Sequence, residues 1–138
     1  MEFKFKKDTP DLLQRRNECD KIRKQFPDKI PIICEKDPKS KIQEIDKTKY
    51  LVPMDLTVGQ FSLMIRKRVE IAKEDAFYLL VDGKHSIIGD SLISEIYDKY
   101  RSEDGFLYIA YASEVTWGYL IVFIDYFLIS IVKNFEKI

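Results

Sequence analysis

The 138-residue chain holds one histidine, two cysteines, five glycines and no excess charge, since 23 Lys and Arg balance 23 Asp and Glu. Each scarcity removes a class of function. His85 sits beside the Asp82-Gly83 turn with no sequence link to either cysteine, so it reads as a loop histidine and not as a catalytic partner. Cys19 and Cys34 form no CxxC pair and have no histidine cluster nearby, which argues against a disulfide scaffold and a zinc site and suits a reducing cytosol. The balanced charge supplies no net field for nucleic acid or an acidic substrate. No glycine-rich phosphate loop occurs, and Asp82, Asp90, Glu95 and Asp98 read as turn, cap and helix-surface acids instead of an inward carboxylate pair. No catalytic residue, cofactor or metal ligand is expected, and the chain reads as a non-enzyme. The amino terminus, MEFKFKKDTP, lacks an apolar run, which predicts no cleaved secretory signal.

What is present is ordinary for one globular domain plus a tail: 46% hydrophobic and 33% charged residues. Thr9 and Pro10 read as cap and first position of an amphipathic helix whose Leu12, Cys19, Ile22 and Phe26 share a face until Pro27 stops it. KIPIICE (29–35) and KYLVP (49–53) read as strands joined by a polar connection. Val58, Phe61, Ile65 and Val69 recur at helical spacing, with Asp55 or Thr57 as cap and Arg66, Lys67 and Glu70 left for solvent. AFYLLV (76–81) reads as a strand entering the Asp82-Gly83 turn. Asp90 then caps a short helix with Leu92, Ile96 and Tyr97 inward, and FLYIAY (106–111) closes the unit. Strands flanking one long helix suit an α+β fold, the ubiquitin-like β-grasp, with helix prefixed.

Four blocks, RRNECDKIRKQFPDKIPIICEK, KTKYLVPMDLTVGQFSLMIRKRV, EDAFYLLV and FLYIAYASEVTWG, closely resemble the ubiquitin-like autophagy modifiers, the family of the GABA type A receptor-associated protein and microtubule-associated protein light chain 3. The resemblance covers nearly all of residues 1–118. It implies a β-grasp with two added amino-terminal helices, the first around residues 2–7. It also implies a thiol protease that trims the chain to Gly118, and activating and conjugating enzymes that join this glycine to phosphatidylethanolamine on the autophagosome membrane. The expected location is the cytoplasm and, after lipidation, that membrane, with microtubule association left open. The expected division is a helical extension over 1–27, the β-grasp domain over 28–112, a conjugation tail over 113–118 and an apolar extension over 119–138.

The chemistry is consistent with a terminal glycine. An acyl carbon handed through narrow enzyme clefts needs close backbone approach, and a residue without Cβ allows it. Trp117 then offers the protease a large apolar handle; its alternative is a ring packed back on the domain.

KYLVP has the composition of an edge strand, because Pro53 cannot donate a ladder hydrogen bond and Lys49 discourages edge pairing. In similar proteins a peptide with an aromatic residue and, three positions later, an aliphatic one adds to this edge, and such motifs belong to cargo receptors and adaptors. The resemblance places Glu18, Ile22, Pro31, Lys49, Leu51 and Phe106 around the aromatic pocket. It places Tyr50, Val52, Pro53, Leu56, Phe61 and Met64 around the aliphatic one, with Arg68 in contact on a basic rim. Taken alone, Leu51, Val52 and Phe61 read as core. Several positions depart from the family pattern: Met64 stands for a common leucine, Gly105 for a common aromatic residue and Trp117 for a common Phe or Tyr, and DGKHSIIGD (82–90) replaces an Asn-rich or Pro-containing turn.

The run SEVTWGYLIVFIDYFLISIV (113–132) is a further departure, because family precursors carry only a few residues past the glycine. A helix over 117–132 would span roughly 24 Å, short of the roughly 30 Å of a bilayer core. Asp125 near its centre would cost about 2.5–3.5 kcal/mol. Left exposed, each large side chain forgoes roughly 1.5–3 kcal/mol of burial. Removal after Gly118 is therefore expected. The alternatives are a retained tail that makes a membrane-anchored or self-associating structural protein, a variant of gene structure, or a strand laid over the groove of the uncut chain.

Overall fold

The computed structural model describes residues 1–72 and 74–113. Two short helices open it, α1 (Lys4–Asp8) and α2 (Leu12–Gln25). Phe3 provides no side-chain cap for α1; the carboxylate of Glu35, on the strand beneath it, does so, accepting from the backbone N–H of Lys4 at 2.7 Å and of Phe5 at 3.0 Å. The cap of α2 is Asp11, whose carboxylate accepts from Leu13 N–H at 3.0 Å, and not Thr9. Phe26 lies past the helix as its C-cap and is exposed.

Next come β1 (Lys29–Lys36), β2 (Lys49–Pro53) and α3 (Val58–Val69). Of the two expected caps for α3, Thr57 serves: its hydroxyl accepts from Gln60 N–H, and the Gln60 side chain accepts from Thr57 N–H, a reciprocal pair that satisfies two orphan donors. Then follow β3 (Tyr78–Val81), β4 (His85–Ile87), α4 (Ile93–Tyr100) and β5 (Leu107–Ala112). Two expectations fail here. His85 lies in a strand and not a loop, paired with Val81 and stacked on Tyr100 at 5.1 Å. Asp90 does not cap α4; Leu92 holds that position without a side-chain bond, and Ile93 with Tyr97 fills the core while Leu92 and Ile96 stay half-buried.

The sheet order is β2-β1-β5-β3-β4, with β1 and β5 parallel at the centre and the other pairs antiparallel. All six residues of β5 are buried because both faces of the sheet are covered, which is why that strand reads as continuous apolar sequence. On one face α3 packs Val58, Phe61, Ile65 and Val69 against Ile30, Ile32, Tyr50, Val52 and Ile109. On the other, Phe3 and Cys19 from the amino-terminal segment pack against Ile33, Phe106, Tyr108 and Ala110. That second layer is pinned by Asp104, fully buried, which accepts from Arg15 Nε at 2.9 Å, Phe106 N–H at 2.9 Å and the Tyr108 hydroxyl. This is an α+β ubiquitin-like architecture with two helices added at the amino terminus.

Candidate groove at the β2 edge

Among the described residues strand β2 ends the sheet on one side, and no described strand pairs with its outer backbone groups. Its pairing register sorts its side chains. Residues opposed across an antiparallel pair share a face, so Leu51 with Pro31 and Lys49 with Ile33 point to the α2 side, whereas Tyr50 with Ile32 and Val52 with Ile30 point to the α3 side. Exposure follows the same alternation: Lys49, Leu51 and Pro53 are open, Tyr50 and Val52 closed.

On the α2 side lies a hollow of about 310 Å³ lined by Ile22, Pro31, Ile32, Lys47, Lys49, Tyr50, Leu51 and Phe106. Five of the six residues expected around an aromatic pocket are among them. Glu18, the sixth, sits at the rim, where its carboxylate accepts from Lys49 Nζ at 2.6 Å. Lys49 Nζ also stands 5.0 Å from the Phe5 ring centroid, so α1 contributes to the same corner. Leu51 is 40% exposed, which corrects its reading as core: its register puts it over the hollow's wall and not against α3. Lys47 and Ile32 are additions. Lys47 was hidden in the polar connection; its carbonyl accepts from the Tyr50 hydroxyl at 2.9 Å, and its ammonium lies 5.0 Å from the Tyr50 ring. Burial pushes the Tyr50 phenol up to about 12, so it stays a neutral donor that holds Lys47 at the rim.

The second expected set divides. Tyr50, Val52 and Phe61 are core, with Tyr50 and Phe61 meeting edge to face at 6.0 Å. They form a floor. Leu56 is half-buried against that core, and Pro53 and Met64 are exposed, so these three offer apolar area beside the floor. The Arg68 guanidinium lies 5.7 Å from the Tyr50 ring, at the basic rim where it was expected. Met54 and Leu63, at 48% and 58% exposure, are further open apolar side chains and were not anticipated; for Leu63 the available signal was a leucine off the Val58, Phe61, Ile65 and Val69 face. Trp117 and Gly118 lie outside the described residues.

A larger depression, about 560 Å³, lies between the amino terminus and α4, but Glu2, Asp82 and Glu103 mix there with Lys6, Lys84 and Arg101, and none of the expected residues reaches it. Both cysteines are free and buried, and burial raises both thiols, Cys19 to about 12. Among the described residues no His, Cys, Asp and Glu cluster could hold a metal ion, and no helix is long and apolar enough to cross a membrane.

Residues 14–118 match the model of the family described as "Autophagy protein Atg8 ubiquitin like". The chain belongs to the Atg8 family. Autophagy-related protein 8 of Mycosarcoma maydis is 49% identical over 107 residues, 78% of this chain and 90% of that protein. The protein of the same name from Schizosaccharomyces pombe is 49% identical over 114 residues, 81% of this chain and 92% of its own. A crystal structure of Trypanosoma brucei ATG8 aligns with a TM-score of 0.76 at 41% identity, covering 86% of this chain and 100% of the other. The family match ends at Gly118, so residues 119–138 lie beyond the shared region.

Proposed function

We propose that this Atg8-family chain is a modifier of autophagy that acts through its carboxyl end and its β2 edge. A thiol protease trims it after Gly118; activating and conjugating enzymes then transfer the glycyl carboxyl to the amine of phosphatidylethanolamine on autophagosomal membranes. The domain held there recruits cargo receptors and adaptors through aromatic-x-x-aliphatic peptides. In this reading residues 1–27 and 28–112 form the recruiting body, 113–118 the conjugation tail and 119–138 the removed segment.

The observation that carries the recruiting half is the division of apolar surface across β2. A peptide added as a strand alternates faces, so residues three apart point to opposite sides of the sheet. An aromatic residue aimed at the hollow among Ile22, Pro31, Leu51 and Phe106 therefore sends its i+3 neighbour to the α3 side, toward Leu56 and Met64. The motif's spacing is one of the odd spacings that strand alternation allows.

Leu51→Ala tests this with little risk to the fold, because the side chain is outside the core. It should weaken binding of an acidic-flanked Trp-x-x-Leu peptide about tenfold, equal to about 1.4 kcal/mol. Unchanged affinity would put the peptide site elsewhere. For the conjugating half, intact mass of protein from cells should show loss of residues 119–138, and Gly118→Ala should abolish both trimming and membrane attachment; a full-length, membrane-bound Gly118→Ala protein would overturn it.

A further inference from the structure

The proposed reading leaves residues 119–138 with no role beyond removal, yet their sequence meets the same requirements as a partner peptide. From Ser113 onward an aromatic residue is followed three positions later by an aliphatic one at Trp117 with Leu120, Tyr119 with Val122, Tyr126 with Ile129 and Phe135 with Ile138. Reach and charge choose among them.

Strand β5 runs parallel to β1, with Tyr111 opposite Lys36, so the chain leaves Ala112 heading away from the hollow. The hollow's β2 residues, Lys49 and Leu51, are level with Ile33 and Pro31. Returning to that level means roughly 13–20 Å along the strands, and a strand added outside β2 lies three spacings from β5, roughly 14 Å. The straight path is then roughly 19–24 Å. Trp117, five residues past Ala112, reaches at most about 18 Å when fully extended, before any reversal of direction. Tyr119 reaches about 25 Å only along a straight line through the domain, with nothing left to turn or to round the 37–48 connection. Tyr126 is fourteen residues past Ala112 and reaches up to about 46–50 Å when extended, about twice the path, which leaves chain to reverse direction and to round the connection. Phe135 also reaches, but Lys133 and Lys137 outnumber Glu136 around it, and the mouth of the hollow carries Lys47 and Lys49 against the single carboxylate of Glu18. Tyr126 is preceded by Asp125, the complementary charge.

Resting on the peptide-binding reading above, we propose that in the uncut chain Tyr126 and Ile129 occupy this chain's own β2 groove, Tyr126 in the α2-side hollow and Ile129 on the α3 side. The groove then opens to partner peptides only once the chain ends at Gly118. Intramolecular placement is favoured by magnitude. A short tether able to span its path gives an effective concentration of about 1 mM, so a tail motif with an intrinsic Kd of about 0.1 mM or tighter suppresses an outside peptide about tenfold or more. The same contact shelters two of the large apolar side chains whose exposure is costly.

The test is fluorescence anisotropy of a labelled peptide carrying two Asp and then Trp-x-x-Leu, titrated in one mild detergent with the full chain and with a chain ending at Gly118. The shorter chain keeps every described member of both core clusters, Phe3 to Tyr111, and the whole region matched by the family. The full chain should bind the peptide about tenfold or more weakly than the trimmed chain. Full-length Tyr126→Ala with Ile129→Ala should recover to within about twofold of the trimmed chain. Full-length Phe123→Ala with Val132→Ala, which deletes similar apolar area outside the motif, should not. Equal binding by full and trimmed chains overturns the proposal, as does a deficit that the Tyr126 and Ile129 pair fails to relieve or that the control pair relieves equally. No binding even to the trimmed chain refutes the peptide-binding reading itself.

Discussion

Replacing Arg15 with Met should destabilise the domain more than any exposed substitution, and the reason is the state in which it leaves Asp104. In the native fold the Arg15 guanidinium donates to Asp104 Oδ2 at 2.9 Å and to the Thr9 carbonyl at 2.7 Å, joining α2 both to the residues before it and to the loop before β5. Asp104 has no exposure, so without Arg15 its charge stays buried with only Phe106 N–H and the Tyr108 hydroxyl to stabilise it. Breaking a buried pair from one side costs about 3–5 kcal/mol, a large share of the roughly 5–15 kcal/mol that holds a domain folded. A loss near 3 kcal/mol would lower Tm by on the order of 10 °C. Chemical denaturation of Arg15→Met, Asp104→Asn and the double variant forms a cycle. The double variant should cost less than the sum of the singles by more than about 1 kcal/mol, since removing the stranded charge relieves part of the damage. A single-variant loss under about 1 kcal/mol, or strict additivity, would refute the claim that this ion pair anchors α2. Because α2 supplies Ile22 and Glu18 to the groove, peptide affinity should fall with the same variant.

Two further outcomes follow from buried groups. Gly105 has φ +92, and a Cβ there would lie 2.8 Å from Cys19 Sγ, so Gly105→Ala should cost about 2–4 kcal/mol in urea unfolding from left-handed strain plus overpacking. Adding Cys19→Ala should recover the overpacking part only; no loss in Gly105→Ala would refute both causes. Burial pushes the phenols of Tyr50 and Tyr111 up to about 12 from 10, so the native state holds protons that the unfolded chain releases first. Stability from these groups is intact below about pH 10 and falls as pH rises from about 10 through about 12, and equal urea midpoints at about pH 9 and about pH 11 would contradict this.

Much of this molecule could be read from the chain alone. Period-3.6 spacing of Val58, Phe61, Ile65 and Val69 located α3, the continuous apolar run FLYIAY located β5 but not its place at the sheet centre, and the KYLVP block with its Pro53 located an edge. These features are local, written within a few residues of one another, and that is why they were legible. The helix Asp11 caps in place of Thr9, and the three-residue β4 that took in His85, turned on weaker local signals that competing readings outweighed. The cap that Glu35 provides for α1 joins residues 31 apart, and the Arg15–Asp104 pair residues 89 apart. Neither partner announces the other, because they meet only once sheet order has brought β1 and the loop before β5 under the amino-terminal helices. Leu51 shows the same division within one side chain. Its sequence says apolar, and only the register opposite Pro31, at a sheet edge, decides that it faces the hollow outside and not the core. Composition and periodicity determined which elements form; the pairing of distant strands determined which apolar side chains were left facing solvent.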